Sequence, residues 1–193
     1  VLLRGCAHVQ LTQVRAAGFG VDGFYVGAAR NGGWNASTDV TLDGCVMENC
    51  RRQGVSVTGC TGFHMVQCEA HGIGPDLPGS GVDLEPNPDR KVVDAEIRGC
   101  SFHDNTGFGI MVGGAGGENL VLADNRIQAC RRGGILVKSS TNARVTGNTI
   151  DGSEPAISVR GRTSGVRLEQ NVCTTGTIEV VRPATAELVG NHC

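Results

Sequence analysis

The feature that most constrains this chain is an internal repeat. Three segments align with one another: "LVLADNRIQACRRGGILVKSS" from Leu120, "ARVTGNTIDGSEPAISVRG" from Ala143 and "GVRLEQNVCTTGTIEVVRP" from Gly165. One apolar anchor position recurs at spacings of 31, 23, 32, 25, 23, 23 and 20 residues, which defines eight turns of a single pattern. The anchors are Leu11, Leu42, Met65, Ile97, Leu122, Val145, Leu168 and Leu188.

Each turn contains three short stretches of period two, separated by bends, and no long window keeps a helical period. A Gly often leads into the alternating stretch, as in "GVSV", "GVDL" and "GILV". Such turns stack as a parallel β-solenoid, in which equivalent residues form ladders at about 4.8 Å and an inward Asn bonds the neighbouring turns. The column three residues after the anchor changes from Cys to Asn: Val14, Cys45, Cys68, Cys100, Asn125, Asn148, Asn171 and Asn191.

This coil with its Asn ladder resembles the right-handed parallel β-helix, or pectate-lyase-like, superfamily. The resemblance covers residues 1–193 and predicts one all-β domain of about eight coils, with a repeat of about 23 residues. It implies that a polysaccharide binds on one parallel strand face bordered by loops. It is specific for the fold and assigns no catalytic residue, because the active-site motifs of alginate epimerases, polygalacturonases and calcium-dependent pectate lyases are absent.

Composition excludes several classes of partner. The formal charge is -2, aromatic residues make up 4% of the chain, and there is no basic run, so we expect no nucleic-acid partner. No apolar stretch is long enough for a membrane span, so we expect no membrane partner. No targeting signal is visible; the fold favours an extracellular or virion-associated protein, whereas reduced thiols would fit the cytoplasm.

Both ends of the sequence interrupt the repeat, and open solenoid edges are normally capped. We therefore expect a longer parent chain with capping domains, or a homo-oligomer such as a trimer. The nine cysteines fall partly into inward columns, with Cys173 and Cys193 in one of them. Disulfides between neighbouring turns are allowed by distance, but stacked side chains point the same way, so we expect mostly free thiols.

Two carboxylates, Asp83 and Glu85, lie on either side of Leu84 in "GSGVDLEPNP". Alternation places both on the outward face, with Leu84 in the core, and the longest insertions flank this strand column. Residues i and i+2 of a strand are roughly 6.5 to 7 Å apart, which overlaps the acid–base separation of inverting glycosidases. The alternative is a solvated strand face on which Glu85 caps the following turn.

A second outward column contains His71 and His103 on adjacent turns, with Asp104 in the next loop. Either histidine could abstract a proton from a uronate ring, assisted by Tyr25 or Lys138. No cofactor is certain and no metal ligand is assigned; a lyase reaction could use a Ca²⁺ ion held by the carboxylates. The alternative is that these side chains bond only to the loops around them.

Further substrate contacts are predicted from residues in the same neighbourhood. Trp34, in the first long insertion, could stack on a sugar ring or anchor its loop. Arg160 lies in the outward column with Lys138, and both are predicted to bind substrate together with Tyr25 and Asp104. We interpret the arginines of "CRRQG" and "CRRGG" as solvated turn residues, although they could bind an acidic polymer.

These observations support two main functions. The first is a carbohydrate-active enzyme that cleaves or remodels a polysaccharide, either as a hydrolase using Asp83 and Glu85, or as a lyase or uronate epimerase using His71 or His103. The second is a non-catalytic glycan-binding or fibre module of a phage or surface protein. A third, purely structural role would leave the two carboxylates as surface charge.

Overall fold

The computed structural model describes residues 1–30 and 34–193, and over these ranges the chain forms strands, turns and loops without a helix. Twenty-five strands form three parallel sheets, which we name A, B and C, and one antiparallel hairpin. No described segment forms a helix that is long and apolar enough to cross a membrane.

Sheets A and B each contain eight strands. Sheet A consists of β1 (Leu2–Arg4), β4 (Asp22–Gly27), β9 (Gln53–Val57), β12 (Val82–Leu84), β15 (Phe108–Val112), β18 (Gly133–Lys138), β21 (Ile157–Arg160) and β24 (Ile178–Val180). Sheet B consists of β2 (Ala7–Thr12), β7 (Ser37–Asp43), β10 (Cys60–Val66), β13 (Val92–Arg98), β16 (Glu118–Ala123), β19 (Thr141–Thr146), β22 (Arg167–Glu169) and β25 (Glu187–Val189).

Sheet C has seven strands, and the remaining two strands pair with each other in the first insertion. Sheet C consists of β3 (Arg15–Ala17), β8 (Val46–Glu48), β11 (Glu69–His71), β14 (Ser101–His103), β17 (Arg126–Gln128), β20 (Thr149–Asp151) and β23 (Val172–Cys173). The hairpin consists of β5 (Ala29–Arg30) and β6 (Trp34–Asn35). Each coil therefore visits sheets B, C and A in turn, and the coils form a parallel β-helix.

The predicted repeat register is confirmed. All eight anchors lie side by side in sheet B, as in the pairing of Leu42 with Met65 and of Leu122 with Val145. In sheet A, Leu84 pairs with Val57 and Val112, and all three are buried in the core. The hydrophobic core is thus a set of continuous ladders along the helix axis.

A single left-handed residue turns the chain from sheet B to sheet C in every coil. The residue two positions after each anchor has a φ between 50° and 65°. The next residue then points inward, which places the Asn and Cys column at the bend. The turn residues are Gln13, Gly44, Gln67, Gly99, Asp124, Gly147, Gln170 and Gly190.

The inward Asn column forms the predicted ladder. Asn148 donates from Nδ2 to Leu122 O at 2.9 Å and to Asn171 Oδ1 at 2.9 Å. Its own Oδ1 accepts from the backbone N of Asn125 at 3.0 Å and from Asn125 Nδ2 at 2.9 Å. In the upstream coils a thiol takes this place, since Cys68 Sγ accepts from Cys45 N and donates to Leu42 O.

The expectation for the cysteines is confirmed for most of them and wrong for one pair. Seven cysteines are free, but Cys173 and Cys193 form a disulfide with a Cα–Cα distance of 4.4 Å. Cys173 lies in β23, whereas Cys193 lies outside any strand. The argument from parallel side chains therefore does not apply to Cys193, whose side chain turns toward its neighbour.

Candidate functional site

The outer face of sheet A carries the predicted columns of outward residues. Asp83 pairs with Ser56 on one side and with Met111 on the other, and Lys138 pairs with Arg160. The insertions 28–36, 72–81 and 85–91 begin or end at strands of this sheet. The two candidate carboxylates therefore lie on the face that the long loops border.

Asp83 is buried, which differs from the exposed position expected from strand alternation. Asp83 is 1% exposed, and its Oδ2 atom accepts a hydrogen bond from Gln53 Nε2 at 2.8 Å. Oδ1 is buried and has no hydrogen-bond partner. Burial, together with the nearby charge of Glu85, raises the pKa of Asp83 to about 7, although the Gln53 hydrogen bond opposes this shift.

Glu85 is half-buried and lies beside a guanidinium group. Burial raises the pKa of Glu85, while the charge of Arg52 and a hydrogen bond with Ser56 act against the rise. The Arg52 Nη2 atom lies 3.9 Å from Glu85 Oε1. The two carboxyl groups thus have different surroundings, because a cation faces Glu85 and an amide faces Asp83.

Arg52 is a functional candidate that the sequence analysis misinterpreted as a solvated turn residue. It donates two hydrogen bonds to Asp22, from Nε at 2.8 Å and from Nη2 at 2.6 Å. The Asp22 side chain is only 5% exposed, and Arg52 reaches further to Ser56 Oγ at 3.4 Å. Its neighbour Arg51 bonds to Asp76 at the surface, as expected for a turn residue.

Gln53 is a second candidate that sequence reasoning missed. Its Oε1 accepts from Ser80 N at 3.2 Å, and Ser80 Oγ accepts from Phe108 N at 3.2 Å. Ser80 comes from the long insertion before β12, so the loop helps to orient the amide. The available signal was a Gln directly before the Gly of "GVSV", at the position where the preceding turn carries Asp22 and the next two turns carry Ser80 and Phe108.

Asp83 and Met111 both lie close to Gly113, where a larger residue would not fit without a shift. A Cβ atom added to Gly113 would lie 3.3 Å from Asp83 Oδ1 and 2.9 Å from Met111 Cε. Met111 is half-buried and lies next to Asp83 on the adjacent rung. The neighbourhood of the unpartnered oxygen therefore includes one flexible thioether side chain.

Tyr25 lies two rungs from Asp83 on the same face. Its hydroxyl hydrogen-bonds with Thr58 Oγ1 at 2.8 Å, and the Arg4 guanidinium lies 5.2 Å from the ring centroid. A surface pocket of about 420 Å³ is lined here by Val1, Leu2, Arg4, Val21, Asp22, Tyr25 and Arg52. An aromatic ring with polar neighbours is a surface on which a sugar can stack.

The two histidines form a separate cluster on the outer face of sheet C. Their rings stack with centroids 4.8 Å apart, and His71 Nε2 lies 3.7 Å from Glu48 Oε2. His103 bonds to Glu69 at 2.9 Å and to Asp104 at 2.8 Å. Partial burial disfavours the charged form of His103, but these two carboxylates outweigh it and raise its pKa.

The partners of the histidines are Glu48, Glu69 and Asp104, whereas Asp83 is bonded to Gln53 on sheet A, so the four predicted catalytic residues lie in two clusters. Asp104 contacts His103 and belongs to the histidine cluster. Lys138 is exposed on the sheet A face, two rungs from Glu85. Arg160 is bonded to Ser158 and Glu179.

The side chain of Trp34 lies outside the described part of the chain, although its backbone belongs to β6. Within residues 1–30 and 34–193, no group of three or more His, Cys, Asp or Glu side chains is arranged to hold a metal ion. In the described site, Asp83 is instead bonded to an amide and Glu85 faces a guanidinium.

Comparison with known proteins identifies the fold. Residues 1–173 match the family described as the right handed beta helix region, which agrees with the three parallel sheets and confirms the predicted right-handed parallel β-helix. A curated relative is the uncharacterized protein YclG of Bacillus subtilis (strain 168), 25% identical over 202 residues. The alignment covers 84% of this chain and 35% of YclG.

Two solved structures are similar in fold. The A-module of the Azotobacter vinelandii mannuronan C-5 epimerase AlgE4 has a TM-score of 0.58 at 19% identity, covering 94% of this chain and 55% of that chain. PfbA, a surface adhesin of Streptococcus pneumoniae, has a TM-score of 0.62 at 12% identity, covering 94% and 56%. This chain therefore spans about half the length of these structures and about a third of YclG.

Proposed function

The chain belongs to the right-handed β-helix family, and from this premise we propose that it binds a polysaccharide along the sheet A face and hydrolyses a glycosidic bond at Asp83 and Glu85. The observation that carries the proposal is the unequal environment of the two carboxyl groups. Burial raises the pKa of Asp83 to about 7 and the Gln53 amide bonds its Oδ2, whereas Glu85 is half-buried and lies beside Arg52. A buried carboxyl group next to one that faces a guanidinium group is an arrangement suited to acid and base roles.

In this mechanism Asp83 is the general acid. It donates the proton of Oδ1 to the glycosidic oxygen, which leaves with the departing sugar. Glu85, which lies beside Arg52, is the general base and takes a proton from the water that attacks the anomeric carbon. Because Oδ1 is buried beside Met111, the Met111 side chain must move aside when the substrate binds.

The similar structures support a carbohydrate-related role at a coarser level. One is an epimerase of mannuronan, which is a polysaccharide, and the other is a surface adhesin. The second similarity and the disulfide between Cys173 and Cys193 support a location outside the cytosol.

The test is the release of reducing ends from a panel of polysaccharides by the wild type, Asp83→Asn and Glu85→Gln. We expect each substitution to lower kcat by at least about 100-fold, the usual contribution of a positioned acid or base. Glu187→Gln, on the exposed surface of sheet B, is the matched control and should keep full activity. Undiminished hydrolysis by both site variants would show that the pair is not the catalytic centre.

A second candidate function is glycan binding without turnover. The burial of Asp83 favours it, because a carboxyl group that is 1% exposed does not contact a ligand without a change in conformation. Under this alternative, the half-buried Tyr25 and the partly exposed Glu85 would contact the sugar chain. Glycan binding with no reducing ends from any polysaccharide would favour this function over hydrolysis.

A further inference from the structure

We propose that the sugar ring held at Asp83 and Glu85 is uncharged, so that the ligand of the sheet A face is a neutral polysaccharide and not a polyuronate. This inference rests on the proposed function for the position of the sugar. It concerns the class of ligand and extends to binding as well as to hydrolysis.

The centre of the sheet A face has a net negative charge. Asp22 and Glu85 are carboxylates, and Arg52 is the cationic side chain that pairs with them in the described residues. Counted by formal charge and without Asp83, two acidic side chains here accompany one basic side chain. A uronate carboxylate placed here would meet repulsion in a half-buried site, where charges are weakly screened.

Arg52 is also not available to bind a substrate carboxylate through two parallel N–H groups. Recognition of carboxylates by Arg depends on two parallel N–H groups pointing at the two oxygens. Arg52 uses its Nε and Nη2 atoms for this contact with Asp22, whose side chain is nearly buried. The guanidinium group therefore serves an internal carboxylate.

The other cationic side chains of the outward columns in the described part of this face lie away from the centre. Lys138 is two rungs from Glu85, roughly 10 Å by the strand spacing. Arg160 is one rung further and is paired with Glu179 at 3.1 Å. Arg4 lies on the opposite side, over the Tyr25 ring. None of them stands opposite a sugar ring at Asp83.

The groups that do face this position suit hydroxyl groups. The carboxylate form of Glu85, which is partly exposed, only accepts hydrogen bonds, and sugar hydroxyls donate them. The hydroxyl of Tyr25, which is half-buried, can both donate and accept. A neutral hexose ring supplies several hydroxyl groups without adding a charge, so it matches this lining better than a uronate does.

The test uses pairs of hexasaccharides that differ only at C6. Mannan and mannuronate hexamers form one pair, and β-1,4-glucan and glucuronan hexamers form a second; galactan and galacturonan complete the panel. Binding is measured by calorimetry with Asp83→Asn. The amide is uncharged, like the protonated form of Asp83, and it cannot donate the proton that hydrolysis requires. We expect at least one neutral hexamer to bind at least about tenfold more tightly than its uronate partner, with little dependence on salt.

A charge variant tests the cause of this preference. Asp22→Asn releases Arg52 from its internal partner, so the affinity for uronate hexamers should rise relative to neutral ones by about tenfold. Glu118→Gln, an exposed acid of sheet B, is the control and should leave the ratio unchanged. Asp22→Asn is made in the Asp83→Asn protein; loss of folding would be seen by circular dichroism, and the ratio measured with Asp83→Asn alone then decides.

Three results have distinct meanings. Tighter binding of uronate hexamers, or no binding of any hexamer in the panel, would overturn the inference. Binding of a neutral hexamer that the wild type does not hydrolyse would support the inference and contradict the proposed hydrolase activity. Binding with hydrolysis would support both.

Discussion

Gln53 donates a hydrogen bond from Nε2 to Oδ2 of Asp83 at 2.8 Å. The orientation of the amide is fixed, because its Oε1 accepts from Ser80 N. Oδ2 of Asp83 is therefore an acceptor, and the proton of the neutral carboxyl group lies on Oδ1, the oxygen that has no partner. Gln53 thus determines which oxygen of the candidate acid carries the proton, and this oxygen is the one near Gly113.

The first prediction concerns this amide. Gln53→Met keeps the length of the side chain and removes its donor, so the ionised form of Asp83 loses a stabilising contact. We expect the pKa of Asp83 to rise above its wild-type value of about 7, measured by NMR titration of the carboxyl carbon. Gln128→Met, on the exposed face of sheet C, should leave it unchanged. An unchanged or lower pKa in the Gln53 variant would contradict the role of the amide.

The second prediction concerns Met111. Burial is the main cause of the raised pKa of Asp83, and Met111 is the neighbour of Asp83 on the next rung. Met111→Ala should admit water to Oδ1 and lower the pKa of Asp83 by about one unit or more, in the same titration. Leu136→Ala, one rung further along the column, is the control. If both variants leave the pKa of Asp83 unchanged, Met111 does not shield the carboxyl group.

The sequence predicted the scaffold well because a solenoid repeats one local pattern. The register of Leu84 with Val57 and Val112 follows from counting residues between anchors. The positions of Asp83 and Glu85 on the outer face follow from strand alternation. The burial of Asp83 does not, because it depends on side chains of neighbouring coils, including Met111 one rung away.

Gln53 was missed in the sequence for the same reason, because its role depends on contacts between coils. Gln53 reaches Asp83 across 30 positions of the sequence, and its amide is oriented by Ser80 in an irregular insertion. The repeat pattern does not specify the conformation of such a loop. His71 and His103, in contrast, lie in an outward column of sheet C that is separate from the sheet A column of Asp83, as the repeat pattern predicts.

The third prediction concerns the Asn ladder. Asn148→Ala leaves Leu122 O and the backbone N of Asn125 without their side-chain partners in a buried position. We expect the free energy of unfolding to fall by about 2 kcal/mol or more, since each buried unsatisfied group costs roughly 1–3 kcal/mol. The measurement is urea denaturation, and Thr149→Ala on the exposed side of the same coil is the control.

A cysteine at this position should be less harmful than an alanine. Cys68 already occupies the same column, where its Sγ accepts from Cys45 N at 3.3 Å and donates to Leu42 O at 3.4 Å. Asn148→Cys should therefore unfold at a urea concentration between those of the wild type and Asn148→Ala. Equal stability of the Ala and Cys variants would show that the column needs only an inward side chain and no hydrogen bonds.

The fourth prediction concerns the histidine cluster and its dependence on pH. Glu69 and Asp104 raise the pKa of His103 against the effect of partial burial, so the folded state binds its proton more tightly than the unfolded state does. This contribution to stability is fully present below the unfolded pKa of about 6.5 and is lost as the pH rises through the higher folded pKa. His71 stacks on the same ring, and Glu48 lies beside His71.

Comparing the wild type with Glu69→Gln isolates this contribution, because other titrating groups such as Asp83 are present in both proteins and their effects cancel. At about pH 5.5 we expect the wild type to be more stable than the variant by up to about 1 kcal/mol, the range measured for partly exposed ion pairs. The difference should shrink toward zero by about pH 9, where the imidazole is neutral. Urea denaturation across this range gives the difference directly, with Glu187→Gln as the control. A difference that stays constant with pH would mean that Glu69 stabilises the coil by packing or by a hydrogen bond that does not require the charged imidazole.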